Sequence, residues 1–145
     1  MNKEFVTYNQ SLALKELGFD EKCLAYWFNE TPLNPEGQCL VYYRKPYDNV
    51  GITNGIIREY GWAPLYQQAF RWFREKHNLC GEVYTVNMGA IDYTFQIRDL
   101  YSEDIKHNNF EAYTGGYVGT FLTYEESESA CLDKLIEIVK NKQDE

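Results

Sequence analysis

Long apolar segments are missing from this chain. Its 145 residues contain no apolar run of the length that a membrane-spanning helix needs, which is about 18 residues or more. The first residues, Met1 to Glu4, lead into no apolar stretch of the kind found in a secretory signal. We therefore expect a cytoplasmic protein that does not enter a membrane. In that compartment its four cysteines are expected to be reduced thiols.

Basic residues are scarce, because 14 lysines and arginines stand against 22 aspartates and glutamates, giving a net charge of −8. Generic binding to nucleic acids or to anionic membranes depends on many positive charges that meet phosphate groups. The charge balance therefore predicts neither generic nucleic-acid binding nor binding to membrane surfaces.

Closely spaced metal ligands are also missing. The four cysteines form no CxxC pair, and the two histidines lie far apart in the sequence. Structural zinc sites normally have at least one close ligand pair. The glycine-rich run at 114–119 lacks the GxxxxGK pattern of a phosphate-binding loop. We expect no metal and no cofactor, and the sequence assigns no catalytic residue.

Aromatic residues are plentiful, at 17% of the chain, with 13 tyrosines among them. Aromatic side chains bury large areas and can stabilise a small core. Tyrosine also suits a half-exposed binding face. The composition therefore predicts an aromatic core with tyrosines at its rim, part of which can serve as a contact surface.

The N-terminal part is predicted to form a helix and a hairpin. Thr7 is typical of a helix N-cap, and Gly18 of the residue that ends the helix Tyr8 to Leu17. Apolar residues lie on two sides of this helix, which predicts that it is sandwiched in the core or covered by a second chain. Strands are expected at Lys22 to Phe28 and Cys39 to Arg44, joined by a loop rich in turn residues. Glycines and a proline interrupt 45–63, where Ile52, Ile56 and Ile57 indicate a short strand or turn.

The C-terminal part has clearer periodicity. Pro64 is typical of the first helical position, and an amphipathic helix is predicted from there to about Asn78. Strict alternation from Ile91 to Arg98 predicts a strand. A two-residue type II′ turn at Gly89-Ala90 would join it to the preceding strand, pairing Met88 with Ile91, Val86 with Tyr93 and Tyr84 with Phe95.

A third strand is expected within Phe110 to Phe121, followed by a helix that Thr123 caps as part of a capping box with Glu126. The buried stripe of that helix is predicted to contain Tyr124, Cys131, Leu132, Leu135, Ile136, Ile138 and Val139. The run from Phe5 to Ser11 is also similar to the run from Phe121 to Ser127, which we interpret as one way of entering a helix used twice.

These elements predict an α+β protein in which an antiparallel sheet is packed by helices, in the order α-β-β and then α-β-β-β-α. We expect one domain over 1–145. Residues 1–63 would form a helix and hairpin extension, 64–142 the α-β-β-β-α unit, and 143–145 a disordered tail.

Two sets of residues are candidates for chemistry. Arg71, Arg74 and Arg98, together with Tyr117, can hold a nucleotide-like or other small anion by charge and stacking, or can belong to a solvated surface. His77 and Cys80 are close enough in sequence to touch, and Glu128 falls inside the apolar stripe of the last helix. We mark His77, Cys80 and Glu128 as the residues that an enzyme with a spatially assembled site would use.

The order helix, three strands, helix from Pro64 to Lys142 resembles the fold of double-stranded RNA-binding domains. The closest likeness is the run Gly119-Thr120-Phe121-Leu122-Thr123-Tyr124-Glu125-Glu126 that leads into Ala130. That family carries a basic cluster at the start of its last helix, which binds phosphate. Here Tyr124-Glu125-Glu126 stands in its place, so the resemblance implies topology and no RNA binding.

A second resemblance concerns small uncharacterised proteins of gut bacteria, their phages and mobile elements. The run APLYQQAFRWFREKHNL at 63–79 and the ending TYEESESACLDKLIEIVK at 123–140 are similar to runs in those proteins. The resemblance implies an accessory factor of phage or mobile-element origin. Together with the acidic surface, it favours a non-enzymatic protein that binds a protein partner or itself, with a homodimer through Tyr8 to Leu17 as one version. A binder of nucleotide-like ligands and an enzyme remain the alternatives.

Overall fold

The computed structural model describes residues 2–29, 36–42, 59–87, 89, 91–101, 109–111 and 120–145. The chain divides into two compact units, Met1–Leu65 and Tyr66–Glu145, which we call unit 1 and unit 2. The boundary falls two residues after the predicted end of the N-terminal extension. Both units combine helices with an antiparallel three-stranded sheet, so the predicted α+β class is confirmed.

The described residues of unit 1 form a short 3-10 helix, one α-helix and three strands. The elements are Asn2–Glu4, α1 at Tyr8–Glu16, β1 at Ala25–Asn29, β2 at Gln38–Tyr42 and β3 at Glu59–Ala63. The strand order is β2-β1-β3. The predicted hairpin is confirmed as the pair β1 and β2. The sequence did not predict β3, and Ile52, Ile56 and Ile57 lie outside the described residues.

The core of unit 1 gathers on one face of its sheet. Phe5, Ala25 and Ala63 are buried there, and Trp27, Leu40 and Leu65 pack against them. Leu65 forms an isolated antiparallel bridge with Phe5. Pro64 and Leu65 therefore belong to the end of unit 1, and the prediction that Pro64 starts the next helix is wrong.

Helix α1 lies along the outer edge of β3. The Ser11 hydroxyl donates to the Trp62 carbonyl at 2.6 Å, and Lys15 Nζ donates to the Tyr60 carbonyl at 2.9 Å. These carbonyls point away from β1, because alternate residues of an antiparallel strand direct their backbone groups to opposite edges. Polar residues thus face the strand, which explains why α1 is not amphipathic in the usual sense. Leu14 and Leu17 are buried.

Helix α1 starts at the predicted residue and ends one residue earlier than predicted, at Glu16, with Leu17 as its C-cap. Thr7 is the N-cap, and its hydroxyl accepts from the Gln10 amide while the Gln10 side chain accepts from the Thr7 amide. The helix is followed by Gly18 at a φ of 93°. The Tyr8 ring packs edge-on to Trp27 at 6.3 Å between ring centroids. Both apolar sides of the helix therefore have contacts inside unit 1.

The described residues of unit 2 follow the predicted order helix, three strands, helix. The elements are α2 at Tyr66–His77, β4 at Leu79–Asn87, β5 at Ile91–Asp99, β6 at Asn109–Glu111 and α3 at Tyr124–Gln143. The strand order is β4-β5-β6. Helix α2 ends where predicted, because Asn78 takes a φ of 58°, in the left-handed region that commonly stops a helix. Helix α3 includes Gln143, which the prediction assigned to a disordered tail.

The predicted hairpin is present, but its predicted register is wrong by one residue. Asn87 pairs with Ile91, so 88–90 connect the strands, and Gly89 has a φ of 105°. Val83 therefore lies opposite Phe95, and Gly81 opposite Ile97. Tyr84 and Val86, expected on the core face, lie on the other face. A slip of one residue exchanges every side chain between the two faces of a strand.

Helices α2 and α3 cover the face of the sheet to which Gly81 belongs. A Cβ atom on Gly81 would lie 2.8 Å from Cys131 Sγ and 3.1 Å from Leu135 Cδ1, so the absent side chain permits the close approach of α3. The predicted stripe of α3 is buried from Cys131 to Val139, and Ser127 joins it. Tyr124 is exposed instead, which corrects the prediction for that residue. Within the described ranges, no helix is long and apolar enough to cross a membrane.

Candidate functional site

The candidate residue Arg98 is held in a polar cluster on the sheet face opposite α2 and α3. It forms an ion pair with Glu82, whose other oxygen accepts from Gln96 Nε2 at 2.7 Å. The Gln96 hydrogen bond and the Arg98 charge together lower the pKa of Glu82. Cys80 Sγ donates to the same carboxylate at 3.9 Å. The positive charge of Arg98 is therefore engaged by Glu82.

The proposed anion contacts are not brought together by the structure. Arg71 and Arg74 are exposed on α2, which packs on the opposite face of the sheet from Arg98. Tyr117 lies outside the described residues. The described part of unit 2 therefore contains no group of convergent arginines that could hold a small anion.

His77 and Cys80 also make separate contacts. The His77 ring packs edge-on to Trp72 at 4.7 Å and lies 5.6 Å from the Phe73 ring. Burial, and then the charge of Lys142, lower its pKa. Its Nε2 atom has no hydrogen-bond partner among the described residues. Cys80 instead donates to Glu82, so the nucleophile and base that a cysteine enzyme requires are not hydrogen-bonded to each other.

Glu128 lies in the second turn of α3, close to Tyr124 and Cys131. Burial, and then the charge of Glu125, raise the pKa of Glu128 to about 6. Burial also raises the pKa values of Tyr124 and Cys131, with Glu128 adding to both effects. Cys131 is completely buried, so its thiol is protonated and shielded at neutral pH. Glu128 is thus a carboxylate in a partly apolar environment, and neither Tyr124 nor Cys131 beside it is an activated nucleophile.

Exposed apolar side chains occur at the end of unit 2 where β5 begins and α3 starts. Leu122 is 80% exposed, Ile91 is 68% exposed and Tyr124 is 46% exposed. Tyr93 packs edge-on to Tyr124 with 6.1 Å between ring centroids. We call Ile91, Tyr93, Leu122 and Tyr124 the end surface.

The end surface is positioned by the last bridge of the sheet. Tyr93 and Phe121 exchange backbone hydrogen bonds of 2.9 and 2.8 Å, which bring the segment before α3 alongside β5. The Phe121 ring stacks on Phe95 at 6.2 Å. Thr123 then caps α3 by accepting from the Glu126 amide at 3.2 Å. The surface is therefore built on a hydrogen-bonded junction between a strand and a helix.

Acidic residues border the end surface. Asp92 lies between Ile91 and Tyr93 and accepts from the Thr120 hydroxyl at 3.2 Å. Glu125 and Glu126 occupy the exposed first turn of α3, and Glu128 follows.

Comparison with protein-family models, curated protein sequences and solved structures finds no match for this chain. The end surface therefore has to be interpreted from its own chemistry. No group of three or more His, Cys, Asp or Glu side chains in the described ranges is placed to hold a metal ion.

The sequence predicts Phe121 as a strand residue and Thr123 as a helix cap, but not the bridge to Tyr93 or the surface at this junction. Tyr124 was assigned to the buried stripe because it precedes Cys131 by two helical turns. One signal was available in the sequence. Leu122 sits between a strand residue and an N-cap, where the chain leaves the sheet before the helix can cover it.

Proposed function

We propose that this chain is a non-enzymatic interaction protein that binds a protein partner through the end surface of unit 2. The observation that supports this proposal is the exposure of Leu122, Ile91 and Tyr124 at one end of the unit. Apolar residues exposed together are costly in water and often mark contact surfaces. Tyrosine is enriched among the residues that dominate binding energies at such surfaces.

The acidic border indicates the chemistry of the partner. Asp92 lies between Ile91 and Tyr93 in the sequence, and Glu125 and Glu126 follow Tyr124, so acidic residues accompany the apolar ones, and the whole chain carries −8. Complementary charge speeds association and selects partners. The partner is therefore a protein segment with an apolar or aromatic anchor flanked by lysine or arginine.

The resemblance to proteins of gut bacteria and phages supports an accessory role in a phage or mobile element. A surface that captures a basic segment of another protein is compatible with that role. The ligand-binding alternative has less support, because Arg98 is paired with Glu82 and lies on the face opposite α2, which carries Arg71 and Arg74.

Selection of a random peptide display library on the full chain tests this proposal. We expect selected peptides to combine basic residues with leucine, phenylalanine or tryptophan, and their binding to weaken as salt is added. Titration calorimetry of a selected synthetic peptide then measures affinity. Leu122→Asp should weaken binding about tenfold or more, because it replaces the most exposed apolar side chain of the surface with a charge.

Leu24→Asp is the matched control, since Leu24 is a 65% exposed leucine in unit 1. It should bind the selected peptide with the affinity of the unmodified chain. Equal affinity of the Leu122→Asp chain, or selection of peptides without basic residues, would contradict the proposal.

A further inference from the structure

Strand β4 is an edge strand of the sheet that the described residues of unit 2 form. It spans nine residues, Leu79–Asn87, and pairs only with β5 in the described sheet. No hydrogen bond joins its outer edge to another element within the described ranges. Long unpaired edges act as templates for another strand.

The hydrogen bonds of β5 identify which backbone groups of β4 face outward. Tyr93 exchanges its N–H and C=O with Phe121, on the side of β5 away from β4. Alternate residues then point toward β4, so Thr94 and Gln96 bond to Tyr84 and Glu82.

Leu100 N–H donates to the Asn78 carbonyl at 2.8 Å, in agreement with this alternation. The outward N–H and C=O groups of β4 are therefore those of the odd-numbered residues, with Gly81, Val83 and Thr85 at the centre.

The side chains of β4 leave this edge open to pairing. Natural sheets protect their edges with lysine, proline, bulges or a covering element. β4 contains neither lysine nor proline, and its only charged residue is Glu82. That carboxylate is hydrogen-bonded on the β5 side, by Gln96 and Arg98, and so does not guard the edge.

We propose that the outer edge of β4 binds the outer edge of β4 in a second copy of this chain, antiparallel about a twofold axis at Val83. The two sheets then form one continuous sheet. This inference goes beyond the proposed function, because it concerns self-association and uses β4, which contributes no residue to the end surface.

The sequence of β4 is self-complementary in this register. Val83 pairs with Val83 of the second copy, and Gly81 pairs with Thr85. The backbone N–H and C=O groups of all these residues point out of the sheet edge, as hydrogen-bonded pairs require. Glu82 lies opposite Tyr84, not opposite another glutamate, so no like charges face each other.

The exposed ring of Tyr84 gains a partner in this dimer. It is 46% exposed and lies on the same sheet face as the Glu82–Arg98 ion pair. Across the axis, Tyr84 of the second copy would cover that pair and shield it from water. This complementarity favours a second copy over an unrelated strand.

Hydrogen exchange of the full chain at two concentrations tests the proposal residue by residue. At about 500 µM, the amides of Gly81, Val83 and Thr85 should exchange at least tenfold more slowly than at about 10 µM. The amides of Glu82 and Tyr84 bond to β5 in both states and should be protected at both concentrations. Protection of the odd-numbered amides that does not change with concentration would overturn the proposal, as would a monomer at the higher concentration.

Variants at Thr85 distinguish a loss of pairing at the outer edge of β4 from a loss of the fold. Thr85→Pro removes an N–H that points outward and leaves the β5 ladder intact, so it should raise the dimer dissociation constant about tenfold or more. Thr85→Val retains the N–H and should dimerise like the unmodified chain. Sedimentation equilibrium measures both, and circular dichroism verifies the fold.

Charged substitutions at Tyr84 test the register of the dimer without introducing a proline. Tyr84→Glu places a carboxylate opposite Glu82 of the second copy and should weaken the dimer more than Tyr84→Lys does. Equal dissociation constants for the two variants would overturn the proposed register. The end-surface variant Leu122→Asp should dimerise normally, so failure here is distinguishable from failure of the proposed function.

Discussion

The two units treat the outer strands of their sheets differently. In unit 1, the outer edge of β3 is covered by α1, whose Ser11 and Lys15 side chains donate to its carbonyls. In unit 2, the helices lie on a face of the sheet and leave the outer edge of β4 without a described partner. A helix that covers an edge needs polar residues and a close approach, whereas a helix that covers a face needs an apolar stripe.

The two units nevertheless enter a helix in the same way. Phe5 and Phe121 each form an isolated antiparallel bridge, Thr7 and Thr123 each cap a helix, and a tyrosine follows each cap. The similarity between the two runs is thus confirmed at the level of local structure. The first turn of α1 contains no acidic residue, whereas that of α3 contains Glu125 and Glu126.

Shortening the buried side chain of Leu14 in α1 should change the free energy of unfolding more than any other substitution considered for the two units. Leu14 is completely buried, and Leu14→Ala should lower the free energy of unfolding by about 2–5 kcal/mol, because it leaves a cavity. It should also loosen α1 from β3 and speed exchange of the neighbouring amides. Urea denaturation and hydrogen exchange measure the two effects.

Leu12→Ala is the control for that change, because Leu12 lies on the same helix and is only half-buried. Leu12→Ala should lower the free energy of unfolding clearly less than Leu14→Ala does. Equal losses for the two substitutions would show that the complete burial of Leu14 does not give it a special part in stabilising the chain.

Closing the space between α1 and β3 should have the next largest effect. A Cβ on Gly61 would lie 2.5 Å from Ser11 Oγ, so Gly61→Ala should cost about 1–3 kcal/mol through overpacking. Ser11→Ala in the same chain removes the clashing atom and should recover part of the loss. A double-mutant cycle by thermal denaturation would show this coupling.

Gly81→Ala makes the corresponding change in unit 2, where the new methyl group would meet Cys131 Sγ at 2.8 Å. A loss of similar size is expected, but Ser11→Ala should not reduce it. Recovery of Gly81→Ala by Ser11→Ala would contradict the division of the chain into two packing units.

The two helix caps should differ by a smaller amount. Thr7→Ala should cost about 1–2 kcal/mol, because it breaks a reciprocal pair of bonds with Gln10. Thr123→Ala should cost about 0.5–1 kcal/mol, since Thr123 accepts from the exposed Glu126 amide. Chemical denaturation of the two single variants measures the difference, and a larger loss at Thr123 would reverse our ranking.

The smallest expected effect concerns the acidic first turns of α3. The pKa of Glu128 is raised to about 6, so the folded chain binds more protons than the unfolded chain between the ordinary glutamate value and that value. Stability from this residue is therefore highest at low pH and falls as pH rises to about 6. Glu128→Gln should stabilise the chain by under about 1 kcal/mol at neutral pH, because water screens the half-exposed carboxylate.

Denaturation at about pH 7.5 and about pH 4.5 measures this effect. The gain should disappear at the lower pH, where the native glutamate is already protonated. Glu125→Gln is a useful companion, since it removes the second cause of the shift and should have a smaller effect of the same sign. A gain that is equal at both pH values would show that charge is not its cause.

Helices were predictable wherever side chains alone determined their packing. The amphipathic pattern of α2 and the apolar stripe of α3 each have a sheet face to cover, and their residues show the helical period. Helix α1 gave a mixed pattern because Ser11 and Lys15 bind backbone atoms of a strand edge. The same geometry hid β3, where Gly61 interrupts the strand pattern and is needed for the approach of α1.

The register of the β4–β5 hairpin was not predictable from alternation alone. β4 carries apolar residues on both faces, and its core-facing Gly81 gives no apolar signal. The apolar residues Tyr84 and Val86 suggest a core face that agrees with a two-residue turn, and this agreement gives the wrong register. The end surface was not predictable for a similar reason. The bridge between Tyr93 and Phe121 sets the position of Tyr124 relative to Tyr93, and the sequence pattern does not reveal that bridge.

The junction at Asn78 limits how this protein can change in length. A single residue, at a φ of 58°, separates the last residue of α2 from the first residue of β4. An insertion of one residue there would turn every side chain of β4 to the other face. It would also exchange the inward and outward backbone groups of the strand. Insertions and deletions among any relatives of this chain are therefore expected in other connections, while this one keeps its length.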